Sequence, residues 1–309
     1  MSAATQAKTS PTDATLSDAA QPDAAQPEAT GAGSRIRELW AGQDAVKVGA
    51  VIIVVLCAAA LVSLVWTPYP PLAKAVGPFN APPSADHWFG TDATGSDVFS
   101  RALAATRTDL GVTALVVSIS LVVGTLWGGI SGFVGGWFDA VSMRLLQVMN
   151  AFPALLLAML VITALGGSLR DLILVVVLIP LPDYMRLARA EVLTKKNWQF
   201  AEAAAMIGRR PAGVLFRHLL PNSTRPLIAY AGINASWVIA TIGSLGYLGL
   251  GIEPGSAEWG SMIAGGQSGV VDGQWWTSFF PGVGIFLVAA AFHLLGDGLT
   301  DHDLVRRGS

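Results

Sequence analysis

The stretch Glu202–Pro221, EAAAMIGRRPAGVLFRHLLP, lies between two hydrophobic segments and is the longest run after the N-terminal tail without a membrane-like composition. Its first half repeats small residues at helical spacing, at Ala201, Ala204, Ala205 and Gly208. Such a face lets another backbone approach closely. Gly208 suits the left-handed position that ends a helix, and Pro211 suits the first turn of the next one. We therefore expect two short helices joined by a turn.

The second of these helices carries a short apolar patch, Val214, Leu215, Phe216 and Leu219. The patch is too short to cross a bilayer, and we expect Pro221 to end the helix. Arginines at 209, 210, 217 and 225 favour the cytoplasmic side of a membrane. The pattern predicts a cytoplasmic loop over residues 191–225. For the loop alone, an amphipathic helix lying on the membrane is an equal alternative.

The composition is that of an integral membrane protein. Of 309 residues, 52% are hydrophobic and 13% are charged, whereas soluble domains carry about 25% charged residues. A net charge of −2 argues against a nucleic-acid partner. The single cysteine, Cys57, excludes a disulfide framework within the chain and is expected to be buried and inert.

Hydrophobic blocks predict six transmembrane helices. They cover approximately Val46–Trp66, Leu110–Gly132, Val141–Leu165, Leu172–Leu187, Pro226–Leu250 and Phe279–Leu299. Pro180 and Pro182 should kink the fourth span, and Asp183 should pair with Arg186 three residues later. Lys and Arg cluster near the ends and in the 191–225 loop, so both termini are predicted to be cytoplasmic.

A glycine ladder in the second span predicts tight helix packing. Glycines recur at every fourth position, at Gly124, Gly128, Gly132 and Gly136. Such a ladder allows two helices to cross at short distance, and it indicates packing rather than a particular function.

The segments predicted to lie outside the cell are polar and acidic. Asp92 and Asp97, with nearby glycines, look like turn and helix-cap residues. Glu253, Glu258 and Asp272 should make the outer face acidic. That face fits a docking surface for a binding protein and an ordinary solvated loop equally well.

Four segments in the right order resemble the C-type permease of dipeptide and oligopeptide ABC importers, over residues 85–309. Glu202-Ala203-Ala204, Gly208 and Leu220-Pro221 are similar to the EAA loop of such permeases. The other three segments are HWFGTDATGSDVFSR from His87, GYLGLG from Gly246 and LLGDGL from Leu294. Departures from the family pattern are Ser96 in place of the usual Arg, His218 in place of an Ile, and both His293 and Thr300.

The resemblance implies an all-α integral membrane protein with a five-helix type I importer core, preceded by one extra helix. On this basis residues 1–34 form a disordered cytoplasmic tail, 35–109 the first helix and an extracytoplasmic loop, 110–305 the permease core, and 306–309 a cytoplasmic tail. The residues implied to couple to an ATPase are Glu202, Ala203, Ala204, Ala205, Gly208, Arg209, Leu220 and Pro221.

The resemblance also implies partners: a homologous second permease, two ATPase subunits or one fused ATPase, and an extracytoplasmic substrate-binding protein, all in or at the plasma membrane. ATP and Mg would be bound by the ATPases, because this chain has no Walker loop in which to cradle phosphates. It also has no G-x-S-x-G, H-E-x-x-H or C-x-x-C motif, so we expect no catalysis, no cofactor and no metal in this chain.

The cargo suggested by the resemblance is a di- or oligopeptide. Nickel chelate, glutathione or another small solute is the alternative within the same architecture. A channel that needs no ATPase and a membrane enzyme are alternatives of other classes, and the sequence offers less for either.

Overall fold

The computed structural model describes residues 32–196, 211–253 and 255–307. The chain from Leu39 onward groups into one compact unit. Most of the predicted N-terminal tail and part of the predicted coupling loop lie outside the described residues.

The described residues form helices joined by short connections, and apart from an isolated bridge between Thr91 and Asp97 they contain no strand. This confirms the predicted all-helical class. The helices are α1 Ala32–Val65, α2 Val98–Val134, α3 Gly136–Met149, α4 Ala154–Leu165, α5 Leu169–Leu178, α6 Leu181–Lys196, α7 Pro211–Tyr247, α8 Trp259–Val271 and α9 Trp276–Arg307.

Within the described residues, four helices are long and apolar enough to cross a membrane: Asp44–Val65 of α1, all of α2, all of α7, and Trp276–Leu299 of α9. The pair α3 and α4 counts as a fifth if its 89° bend lies within one span. The predicted span Leu172–Leu187 is divided between α5 and α6, because Pro180 and Pro182 interrupt the helix as expected.

The expectation that Pro221 ends a helix is wrong. Helix α7 runs from Pro211 through Pro221 to Tyr247, with a π-helical turn at Leu215–Leu219 in which the Leu220 N–H donates to the Leu215 carbonyl. The wide turn resets the hydrogen-bond register. Pro221 therefore falls in the first turn of the next α-helical segment, where a missing N–H costs little.

Helix α8 occupies a segment that was predicted to be an outer loop. The Glu258 side chain caps its start by accepting hydrogen bonds from the N–H groups of Gly260 and Ser261. These bonds satisfy two of the donors that the first turn of a helix leaves unpaired. At 13 residues, α8 is shorter than the roughly 20 residues that a membrane span needs.

Helices α2 and α6 cross with almost no side chains between them. Gly124 lies against Tyr184, Gly128 against the backbone of Met185, and a Cβ added to Gly132 would lie 2.9 Å from the carbonyl oxygen of Arg189. Such contacts with backbone atoms leave no room for a side chain.

Gly136, the fourth glycine of the predicted ladder, lies outside this crossing. A Cβ added there would meet no atom within 4 Å, and the residue begins α3 at a φ of +58°. Gly136 therefore serves the turn between α2 and α3, for which a positive φ favours glycine.

Three apolar clusters fill the spaces around α2 and α7. One joins α2, α4, α5 and α7 through Val112, Val116, Ala158, Ile162, Leu172, Val175, Val176, Val238, Ile242 and Leu245. A second joins α2, α8 and α9 around Trp259, Met262, Trp276 and Val288. The third lies where α6 ends and α7 begins, and it forms part of the candidate site.

The α2–α6 crossing generates a prediction about glycine. Gly128→Ala should lower the stability of the protein by about 1–3 kcal/mol, because the new methyl group would have to displace the backbone of α6. A Cβ at Gly128 would lie 2.7 Å from the Met185 Cα, whereas Gly111 on the same helix has no atom within 4 Å. Thermal unfolding of the two purified variants tests this, with Gly111→Ala as the control. Equal melting temperatures for the two variants would contradict the assigned crossing.

Candidate functional site

The candidate site lies at the loop end of the helices, defined here as the end at which α6 stops at Lys196 and α7 starts at Pro211. Six predicted coupling residues fall between these two points, outside the described residues: Glu202, Ala203, Ala204, Ala205, Gly208 and Arg209. Leu220 and Pro221 are described, and the structure gives their surroundings.

An apolar cluster fixes the start of α7 to its neighbours. This loop-end cluster consists of Val192, Val214, Leu215, Leu219 and Leu220, with Ile130 and Phe133 packed against it. Leu220 is 7% exposed and lies close against Gly129 of α2. Pro221 faces outward and is exposed. The cluster holds both sides of the loop against the end of α2.

Lys195, near the end of α6, connects that helix to α7. Its Nζ donates to Glu191 at 2.5 Å and to the main-chain carbonyl of Asn222 at 2.8 Å. In a regular helix that carbonyl would accept from residue 226, but Pro226 has no N–H to donate. The lysine therefore replaces the hydrogen bond that the proline removes.

Lys196 makes the corresponding contact with α2. Its Nζ donates to the Phe133 carbonyl at 2.8 Å and lies 5.4 Å from the centre of the Phe133 ring. The last carbonyls of a helix lack intrahelical donors and carry partial negative charge, so a lysine is favourable there. Consecutive lysines of α6 thus contact two different helices.

An ion pair ties α3 into the same end. Arg189 of α6 donates to both carboxylate oxygens of Asp139, each at 2.6 Å, and Ser131 of α2 donates to one of them at 2.7 Å. A two-point contact between a guanidinium and a carboxylate fixes orientation as well as distance. Through Asp139, helices α2, α3 and α6 meet at one point.

Together these contacts make the loop end a mechanical junction. A displacement applied between residues 196 and 211 reaches α2 through Lys196 and Leu220, and it reaches α7 through Lys195. Among the described residues, no group of three or more His, Cys, Asp or Glu side chains is placed to hold a metal ion. The arrangement is suited to transmitting movement.

At the opposite end of the helices, the predicted turn and cap residues lie as expected. Asp97 accepts from the Ser100 N–H at 2.8 Å and so caps α2, and it also bonds to His87 at 2.8 Å. Asp92 accepts from the N–H groups of Thr94 and Ser96, which closes a turn. These side chains position the segment before α2.

Glu258 does not belong to the predicted acidic outer surface. It is fully buried, and its carboxylate lies against Gly246 of α7. Burial raises the pKa of Glu258, although the backbone N–H groups of Ser261 and Gly260 oppose that shift. The neighbouring Asp109 is 1% exposed and accepts from the Trp259 N–H at 3.1 Å. Glu253 and Asp272 are exposed as expected.

Comparison with known proteins places this site in a family. The family model described as "Binding-protein-dependent transport system inner membrane component" matches residues 124–302, which include α6, the loop and α7. The chain belongs to this family. It is therefore a multi-pass inner-membrane permease, a membrane component that is not itself catalytic.

Curated relatives of the permease agree with this assignment. One is the probable D,D-dipeptide transport system permease protein DdpC of Escherichia coli K12, 37% identical over 87% of this chain and 90% of the relative. Another is the dipeptide transport system permease protein DppC of Alkalihalophilus pseudofirmus, 37% identical over 71% and 72%. A third is the glutathione transport system permease protein GsiD of Pectobacterium atrosepticum, 36% identical over 72% and 73%.

Sequence reasoning missed the residues that hold the permease's loop in place. Lys195 and Arg189 were noted only as positive charges, and Asp139 only as part of a turn. Their partners lie 27 and 50 residues away along the chain. The one local signal was Pro226, because a proline inside a helix leaves a carbonyl in need of a donor.

The contact between Lys195 and Asn222 generates a prediction with an internal control. Lys195→Met should lower the stability of the permease by about 1–2 kcal/mol, because the Asn222 carbonyl loses its donor. In a Pro226→Ala background residue 226 regains an N–H, so the same substitution should cost less. Thermal unfolding of the four variants of this double-mutant cycle measures the difference.

Lys196→Met is the matched control, because Lys196 bonds to Phe133 and not to Asn222. Its cost should be the same with Pro226 or Ala at position 226. The assigned role of Lys195 would be wrong if Pro226→Ala changed the cost of neither lysine substitution.

Proposed function

We propose that this permease is a membrane subunit of an ATP-driven ABC importer that takes up di- and oligopeptides. The observation that carries the proposal is the loop end, where α6 and α7 frame the segment resembling the EAA loop and are joined to α2 by Leu220 and Lys196. Relatives named for dipeptide transport, at 37% identity, support the cargo.

The proposed assembly has partners on both sides of the membrane. A homologous second permease completes the pathway, two ATPase subunits or one fused ATPase bind ATP and Mg on the cytoplasmic side, and an extracytoplasmic binding protein delivers the cargo. In this assembly the chain crosses the membrane six times, with α5 and α6 together forming one span. Both termini are then cytoplasmic.

The proposed mechanism is alternating access. Closure of the ATPases on ATP moves the plug formed by Glu202, Ala203, Ala204, Ala205, Gly208 and Arg209, with Leu220 and Pro221 at its exit. The movement passes through α6 to α2 and α7, and the pathway changes from inward-facing to outward-facing. Chemistry stays with the ATPases, and this permease supplies the shape change.

Glutathione is the second candidate cargo. The relative named for glutathione transport is 36% identical to this chain, nearly the same identity as the dipeptide relatives. Glutathione is itself a small peptide-like solute, so one pathway would accept both. Nickel chelate has no corresponding relative among these.

The proposal is tested by isolating the permease from membranes in which all subunits are expressed. An ATPase should co-purify, and peptides of graded length, delivered by the binding protein, should stimulate ATP hydrolysis. Stimulation by glutathione alone would reassign the cargo. Ion conductance by the purified chain, with no ATPase bound, would contradict the importer and favour a channel.

A further inference from the structure

A charged pair lies on an exposed face of α6. Arg186 donates to Asp183 at 2.5 Å, and the side chains of both residues are 48% exposed. The Tyr230 hydroxyl of α7 donates to the other carboxylate oxygen of Asp183 at 3.1 Å. The predicted ion pair is thus confirmed, and it extends to a third residue on a neighbouring helix.

This cluster lies far from both ends of its span. Twelve residues separate Asp183 from Lys195, a rise of about 18 Å along a helix, and fourteen separate it from the start of α5 at Leu169, about 21 Å if the break is neglected. The hydrocarbon layer of a bilayer is about 30 Å thick. Asp183 and Arg186 therefore lie at membrane depth.

Charges at that depth need water or protein around them. Hydrocarbon contact with a charged side chain at the bilayer centre costs about 3 kcal/mol or more, and such residues face a bundle interior or a water-filled cavity. In this chain, the opposite side of α6 is the packed one, with Tyr184, Met185 and Ala188 fully buried or nearly so. The exposed side, with the ion pair, is left for an aqueous or protein surface.

The chemistry of the pair favours water over a second protein surface. Arg186 has five N–H donors, and a tight protein interface would have to satisfy all that are unused while removing both charges from water. A water-filled passage satisfies them without that cost. The pair also presents opposite charges side by side, and these match the ammonium and carboxylate groups of a free peptide.

We propose that Asp183, Arg186 and Tyr230 line the peptide pathway and contact the charged groups of the passing peptide. This inference rests on the proposed function, since it presumes a peptide importer. Asp183 attracts the ammonium group, Arg186 attracts the carboxylate, and Tyr230 holds the Asp183 carboxylate in place. Because the site is half-exposed, it binds weakly enough to release its cargo.

The chain itself offers a clean test. Cys57 is its single cysteine, so Cys57→Ser gives a cysteine-free parent. Asp183→Cys is then compared with Val122→Cys in membranes that contain the whole transporter. Val122 is 55% exposed and lies two residues from Gly124, which contacts Tyr184, so its depth is similar, but it points away from α6.

A charged thiol reagent that cannot cross membranes should modify Asp183→Cys at least about tenfold faster than Val122→Cys, because only a thiol in water ionises and reacts readily. A dipeptide delivered by the binding protein should slow the labelling of Asp183→Cys. Tyr230→Cys, labelled in the same way, keeps the test available if Asp183→Cys fails to assemble.

The outcomes separate this inference from the proposed function. Labelling at both sites no faster than at Val122→Cys, in membranes whose cysteine-free parent imports dipeptide, would overturn the pathway and place the cluster against lipid or the second permease. A parent that imports no peptide under any condition would instead refute the proposed function. Fast labelling that peptide leaves unchanged would overturn the contact with cargo.

Discussion

The close approach of α2 and α6 is the constraint on which the rest of the structure depends. Because Gly128 brings the two backbones into direct contact, α6 has a fixed mount along much of its length. Arg189 and Lys196 add polar contacts near the loop end of that mount. Without the crossing, these side chains would not reach α3 and α2, and the loop would have no rigid base.

Prolines and lysines act together at this base. The π-helical turn allows α7 to pass through Pro221 without ending, and Lys195 supplies the donor that Pro226 removes. A continuous helix therefore runs from the edge of the loop into the membrane. Continuity matters physically, because a helix that ended at Pro221 would bend at a flexible joint instead of carrying a displacement inward.

Much of this architecture could be predicted from the sequence, since long apolar blocks, glycine spacing and proline breaks are local signals. The all-helical class, the break at Pro180 and the pairing of Asp183 with Arg186 followed from such signals. The continuity of α7, the helix capped by Glu258 and the role of Lys195 did not. Each depends on a partner distant in sequence or on a hydrogen-bond register, and a list of residues shows neither. Glu258 counted as a surface acid because nothing near it in sequence marks its burial.

The account makes one claim above all: the segment between α6 and α7 is gripped by an ATP-hydrolysing subunit. A photoreactive amino acid placed at position 209, in membranes that import peptide, tests it most directly. Illumination should yield a covalent adduct with a nucleotide-binding subunit, and the same amino acid at position 122 should yield none. Adducts at position 209 with lipid alone, in transport-active membranes, would contradict the account.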